Sequence, residues 1–182
     1  MVEKILEDCA RAYDLRSVAL RYFNAAGAHP SGEIGEAHAV ETHLIPLCVR
    51  AASGTGPELK IFGDDYPTPD GTCIRDYVHV CDLTDAHIAA LDFMDRESGK
   101  HVFNLGNGNG FSVKEVLAAV EKAGGKPVPH TMAPRREGDA AILVADSSRA
   151  RRELGWNPRY PDLETIVNHA WAWHENQKFG PE

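Results

Sequence analysis

VEKILEDCARAYDLRSVALRYF, residues 2–23, decides the fold class of this chain. Val2, Ile5, Leu6, Cys9, Ala10 and Tyr13 recur at i, i+3, i+4, i+7, i+8 and i+11, which lays one apolar stripe along a helix over residues 1–14. Three residues on, Ser17–Phe23 (SVALRYF) changes to a short, β-rich apolar run with the character of a strand buried on both faces. A helix feeding such a strand predicts an α/β protein with a parallel sheet, whose other strands must flank residues 17–23. No residue before Val2 can cap the helix, and the stripe is in register from the second position, so the pattern reads as a helix entered partway along.

Outward from this segment, residues 25–58 are rich in glycine and proline around one helical stretch, 43–52, and read as a lid or connection over a site. Strands are predicted at 59–63, 75–80 and 101–105, with a helix from Asp82 as N-cap, Asp85 at N3, to Met94. Ser112-Val-Lys-Glu115 is a capping box ahead of Val113, Val116, Leu117 and Val120, and Gly124-Gly125 ends that helix. A strand near 128–132, a polar loop at 134–139, a short helix capped by Asp146 and stopped at Gly155, and a helix carrying Leu163, Ile166, Val167, Ala170 and Trp171 complete the chain.

The 182 residues, 43% apolar and 25% charged, suit one folded domain of ordinary size. Nineteen basic against 27 acidic residues leave a net charge of −8, which repels nucleic acid. Charges interrupt every apolar run, so no stretch spans a bilayer, and residues 1–15 lack the apolar core of a signal peptide; an intracellular, cytoplasmic location is the expectation. Cys9, Cys48, Cys73 and Cys81 form no C-x-x-C pair and are expected to be reduced, mostly buried thiols. No H-x-x-x-H or H-E-x-x-H occurs among nine histidines, so no metal site is expected, and no G-x-S-x-G suggests a hydrolase.

Two segments carry chemistry. Gly106-Asn-Gly-Asn-Gly110 between a strand and a helix can cradle a phosphate, but Phe111 stands where a dinucleotide fingerprint needs its third glycine, which favours a tight turn. Arg135-Arg136-Glu137-Gly138-Asp139 pairs guanidinium groups with a carboxylate, a set that can grip a diphosphate and a ribose hydroxyl or else be a solvated charge cluster. Arg75, following a turn, can meet the same anion, whereas Arg149, Arg151 and Arg152 read as a solvated helix face.

RYFNAAGAHPSGEIGE (21–36), ELKIFGDDYPTPDGTCIRDYVHVCDL (58–83), FNLGNGNGFSVKEV (103–116) and APRREGDAAILVADSSRARRELGW (133–156) resemble, in order and spacing, the C-terminal half of the UDP-glucose 4-epimerase family, which belongs to the extended short-chain dehydrogenase/reductases. The resemblance implies the C-terminal part of an NAD(P)-binding Rossmann-fold epimerase: a small α/β substrate-binding lobe with a few remaining Rossmann elements. Residues 1–24 and 72–105 then fall to the Rossmann domain, and 25–71 and 106–182 to the substrate lobe. It implies NAD contact at Tyr22 and Phe23, and substrate contact at Asn24, His43, Leu44, Lys60, Phe62, Arg75, Tyr77, Arg136, Asp139 and Leu143. Lys60 to Phe62 would offer backbone groups to the uracil, Arg75 and Arg136 would clamp the diphosphate, and Asp139 would hold the ribose. His43 and Leu44 stand where many relatives carry an Asn pair, and the bulk of Leu143 favours sugars without an N-acetyl group.

In the complete family enzyme, hydride passes from sugar C4 to NAD while a tyrosine takes the hydroxyl proton, and the 4-keto sugar turns and is reduced on its other face. The Tyr-x-x-x-Lys pair and the Gly-rich NAD turn that do this are missing from these 182 residues. The resemblance therefore implies no catalytic residue here, no NAD retained by the chain alone, and UDP-glucose or UDP-galactose as ligand. An N-terminal epimerase half or a second copy is the partner it implies, with a non-catalytic sugar-nucleotide-binding or subunit-interaction module as the alternative.

Overall fold

The computed structural model describes residues 1–176. In chain order its elements are α1 (Val2–Tyr13), β1 (Ser17–Arg21), β2 (Asn24–Ala26), α2 (Leu44–Ser53), β3 (Leu59–Phe62), β4 (Ile74–Arg75), β5 (Tyr77–His79), α3 (Val80–Arg96), β6 (Lys100–Asn104), β7 (Phe111–Ser112), α4 (Val113–Gly124), β8 (His130–Ala133), β9 (Ile142–Leu143), α5 (Ser148–Leu154) and α6 (Leu163–Asn176). The fold is α/β, and its strand pairs β1–β6, β2–β5, β3–β8 and β4–β9 are parallel, whereas β4–β7 is antiparallel. Among the described residues no helix is long and apolar enough to cross a membrane.

Apolar side chains separate into two cores. Ile45 and Val49 of α2, Ile61 of β3, Val116 and Val120 of α4, and Ile166 and Val167 of α6 fill the first. Leu83 and Phe93 of α3, Phe103 of β6, Leu154 of α5 and Trp156 fill the second. Successive residues of a strand point to opposite faces, and β5 uses this to serve both: Tyr77 packs in the first core and Val78 in the second.

The helix at the N-terminus forms where its stripe predicts, yet none of its residues is buried: Val2 is 69% exposed and Ile5 53%. β1 is likewise half-buried along most of its length instead of enclosed on both faces, because among the described residues it pairs only with β6. Cys48 alone of the four thiols is fully buried, and burial pushes it up to about 12; Cys9, Cys73 and Cys81 are only partly covered.

The strand expected at 75–80 is broken at Asp76 into β4 and β5, and helix α3 begins two residues earlier than Asp82. Its N-cap is His79, whose side chain accepts a hydrogen bond from the Cys81 N–H at 3.1 Å. Asp82 sits buried in the first turn and binds another segment instead: its carboxylate accepts from the Arg159 and Tyr160 N–H groups at 2.7 and 3.0 Å, and its carbonyl from the Trp156 indole at 2.7 Å. Three donors of a distant loop outweigh one helix-end contact. Asp146 similarly lies one residue before the N-cap position Ser147, and accepts from the Ser148 N–H at 2.9 Å. The strand expected near 128–132 runs instead over β8, shifted because Pro129 has no N–H to give a ladder. The Ser112–Glu115 capping box forms as predicted.

Fully buried His79 receives the Cys81 N–H on Nδ1, so its own proton sits on Nε2 and faces His169 Nδ1 at 3.0 Å. Gly27, with φ +80°, allows this approach, since a Cβ there would lie 2.7 Å from the imidazole. Burial, reinforced by the nearby His169 and Arg159, pushes His79 down to about 4. The native state therefore binds this proton more weakly than the unfolded chain does. The stabilising effect is complete above pH 6.5 and is lost as pH falls toward 4, a span worth about 2–3 kcal/mol. Urea melts at about pH 7 and pH 4.5 are expected to show this loss, and His79→Gln to remove that part of the slope; an unchanged slope in the variant would assign acid lability elsewhere.

Candidate functional site

β3 turns Leu59 and Ile61 into the first core and leaves Lys60 and Phe62 facing outward. Its parallel register with β8 sets Phe62 opposite Ala133, which delivers the following Arg135–Asp139 loop to the same end of the strand. There the Arg136 guanidinium lies 3.9 Å from the centre of the Phe62 ring. The neighbouring Arg135 stacks on Tyr66 at 4.2 Å and donates to the Asp65 carboxylate at 2.6 Å. The loop closes as a turn, with the Asp139 N–H on the Arg136 carbonyl at 3.3 Å. Asp139 in turn accepts a hydrogen bond from Arg75, which also donates to its neighbour's carbonyl, Ile74 O, at 2.8 Å. Leu143 stands opposite Arg75 across β4–β9. Lys60, Phe62, Arg75, Arg136, Asp139 and Leu143, scattered over 84 positions of sequence, are thus linked through the β3–β8 and β4–β9 registers, the Arg136–Phe62 stack and the Arg75–Asp139 pair.

A second group lines a cavity of about 340 Å³. Asn24 and Tyr77, paired across β2–β5, form its floor, and His43 and Leu44 at the start of α2 form one side. Tyr77 is buried, which pushes its phenol far above its ordinary range, so it stays neutral. Sequence reasoning missed Glu36, His38, Glu41 and Trp173 on the cavity's rim. They come from an irregular loop and a distant helix, and no periodicity marks them.

Asp76 joins the two groups. It is fully buried between Arg75 and Tyr77, and its two carboxylate oxygens accept from the Asn107 N–H at 2.9 Å and the Ala145 N–H at 3.1 Å. Its carbonyl accepts from the Asn24 side chain at 2.8 Å, and the Asn107 side chain donates to the Tyr77 carbonyl. Gly106 is required here, because a Cβ would lie 2.3 Å from the Asp76 carboxylate. The Gly106–Gly110 segment is thereby a turn whose Asn107 N–H is already committed to a carboxylate. Helix α4 behind it has its first turn capped by Ser112 and Glu115, so its N-terminus is already satisfied. Tyr22 and Phe23, by contrast, lie just past the carboxyl end of β1, 42% and 48% exposed, where parallel α/β sheets bind ligands.

Residues 1–106 match the sequence profile of the NAD dependent epimerase/dehydratase family. The chain belongs to that family. Within it, the chain is 52% identical over 179 residues to a UDP-glucose 4-epimerase of Halalkalibacterium halodurans, covering 98% of this chain and 54% of the relative. A crystal structure of a UDP-glucose 4-epimerase superposes with a TM-score of 0.94 at 51% identity, over 100% of this chain and 55% of that one. The Bifidobacterium longum UDP-glucose 4-epimerase, solved in complex with NAD+ and UDP, superposes with a TM-score of 0.90 at 43% identity, over 96% of this chain and 52% of that one. The chain spans about half the length of the curated epimerases it matches. Its fold is the corresponding part of these NAD-binding Rossmann-fold epimerases.

Proposed function

We propose that this chain supplies the sugar-nucleotide grip of a UDP-glucose 4-epimerase. The observation that carries the reading is the single patch made by Phe62, Arg75, Arg136 and Asp139, set through Asp76 beside the Asn24–Tyr77 cavity. Two guanidinium groups suit a diphosphate, for which bidentate, charge-assisted hydrogen bonds are the strong contacts. The patch is preorganised but not free: Arg75 spends a donor on Asp139. A diphosphate competes for that donor, and the released carboxylate can then accept from ribose hydroxyls. Among the described residues β3 has β8 on one edge and no strand on the other, so the backbone groups of Lys60 to Phe62 can read a uracil edge. On this reading Asn24 contacts the substrate, Tyr77 lines its pocket, His43 and Leu44 lie along the sugar-nucleotide phosphates, and exposed Leu143 limits the bulk of the sugar.

The two cores favour a cofactor-binding domain over residues 1–24 and 72–105 and a substrate lobe over 25–71 and 106–182, with two departures: β5 serves both, and α5 with Trp156 packs in the second core beside α3 and β6. The donor set fits only the edge of an NAD site: Tyr22 and Phe23 can meet a nicotinamide ring, while no G-x-G-x-x-G turn is present for the pyrophosphate. NAD, when bound, accepts and returns the hydride; this chain's part is to hold the nucleotide so that C4 faces the ring. The uncovered stripe of α1 and the unpaired edge of β1 suit an N-terminal half of the same enzyme, or a second copy.

Calorimetric titration with UDP tests the grip directly. Saturable, one-to-one binding is expected, and Arg75→Ala with Arg136→Ala together are expected to weaken it by about 100-fold or more, at roughly 1.5–3 kcal/mol for each charged hydrogen bond removed. Wild-type binding that the double variant retains would overturn the assignment.

A further inference from the structure

On the rim of the cavity, Glu36, His38, Glu41 and His43 bring one ligand atom each to within 4.8 Å of one another. Glu36 Oε1 lies 2.7 Å from Nδ1 of both His38 and His43, Glu41 Oε1 lies 3.0 Å from His43 Nδ1, and Glu41 Oε2 lies 3.9 Å from His38 Nδ1. The imidazole rings stand 5.4 Å apart and tilted, so both nitrogens face inward between the carboxylates. A tetrahedral ion with ligands at about 2.0–2.1 Å sets its ligand atoms about 3.3 Å apart, which falls inside the observed spread.

The loop that holds the four groups is anchored from outside. The Trp173 indole donates to the Glu36 carbonyl at 2.8 Å and packs against Gly35, where a Cβ would lie 2.3 Å from the ring. The Glu41 side chain is only 5% exposed, its Oε1 fixed by the Thr42 and His43 N–H groups at 2.7 Å each. The two imidazoles remain about half exposed, which leaves a path for an ion from solvent or cavity. Two imidazoles and two carboxylates are a borderline donor set, harder than the thiolate sites of structural zinc and softer than the all-oxygen cages of calcium. The net charge of −8 adds a favourable field for a cation.

We propose that Glu36, His38, Glu41 and His43 form a binding site for a divalent transition-metal ion, of the Zn2+ type, at the mouth of the cavity. The spacing E-x-H-x-x-E-x-H lies in a loop, so the helical H-x-x-x-H pattern does not detect it. The site shares His43 with the cavity of the proposed function but none of its residues with the guanidinium patch, and its test is run without nucleotide, so loss of UDP binding and loss of metal binding are read separately.

Co2+ titrated into the chain without nucleotide is expected to saturate at one equivalent, with the visible bands of tetrahedral cobalt carrying no thiolate charge transfer, and Zn2+ is expected to displace it. His38→Ala and His43→Ala are each expected to weaken binding by more than the roughly 10–100-fold that removal of an outer hydrogen-bond partner costs. His38→Gln, which keeps a donor for Glu36 but is a poor ligand, is expected to do the same with an unchanged melting midpoint. His130→Ala, on β8, is expected to have no effect. Absence of saturable binding, thiolate bands, or equal affinity in wild type, His38→Gln and His43→Ala would overturn the site.

Discussion

Given UDP-glucose and NAD, these 182 residues alone are expected to yield no detectable UDP-galactose, and an N-terminal epimerase fragment added to them is expected to restore turnover. A positioned general base contributes about 10²–10⁴-fold, and enzymes commonly supply about 10⁶-fold or more in total. The chain has no Tyr-x-x-x-Lys to act as that base and no G-x-G-x-x-G turn for the cofactor's pyrophosphate. Tyr77 does not substitute for it, because burial holds its phenol protonated and its position on β5 belongs to the first core. A coupled assay for UDP-galactose decides the matter: product from the chain alone would show that proton and hydride transfer are both provided within it. Restoration by the fragment would assign those steps to the added half.

Asp76→Ala is expected to be the most damaging single substitution. It would strip the partner from the Asn107 and Ala145 N–H groups in a region closed to water, and each orphaned donor costs about 1–3 kcal/mol, so a loss of about 4 kcal/mol is expected. Asp76→Asn keeps the shape but turns one oxygen into a donor facing a donor, so it is expected to recover little. In denaturant melts the midpoint should fall with an unchanged slope. UDP affinity should fall as well, because Arg75, Tyr77 and Asn24 take their positions from the Asp76 segment. A stability within about 0.5 kcal/mol of wild type would mean that these hydrogen bonds are replaced by water.

Where local chemistry decides the backbone, the sequence is readable. The stripe of α1, the Ser112–Glu115 capping box and the left-handed Gly125 and Gly155 ends each follow from residues within four positions. Asp82 and Asp76 escape such reading because their partners lie 77 and 31 positions away, and a carboxylate before a helix looks the same whether it caps that helix or clamps a remote loop. The patch residues Arg75, Arg136 and Asp139 were legible through the family's motifs, but their mutual approach depends on the β3–β8 and β4–β9 registers. Glu36, His38 and Glu41 had no periodic signal, since an irregular loop has no period to break; only their place in the glycine- and proline-rich stretch 25–58 marked them.

The alternation of Tyr77 and Val78 carries a consequence for rebuilding the molecule. A chimera that exchanges either lobe for a relative's must choose one owner for this three-residue ribbon, and the other lobe then receives a foreign wall. Crossovers placed at Asp76 or Val80 each leave one interior mismatched, and swapping the ribbon together with its partner β2 keeps the β2–β5 pair within a single parent.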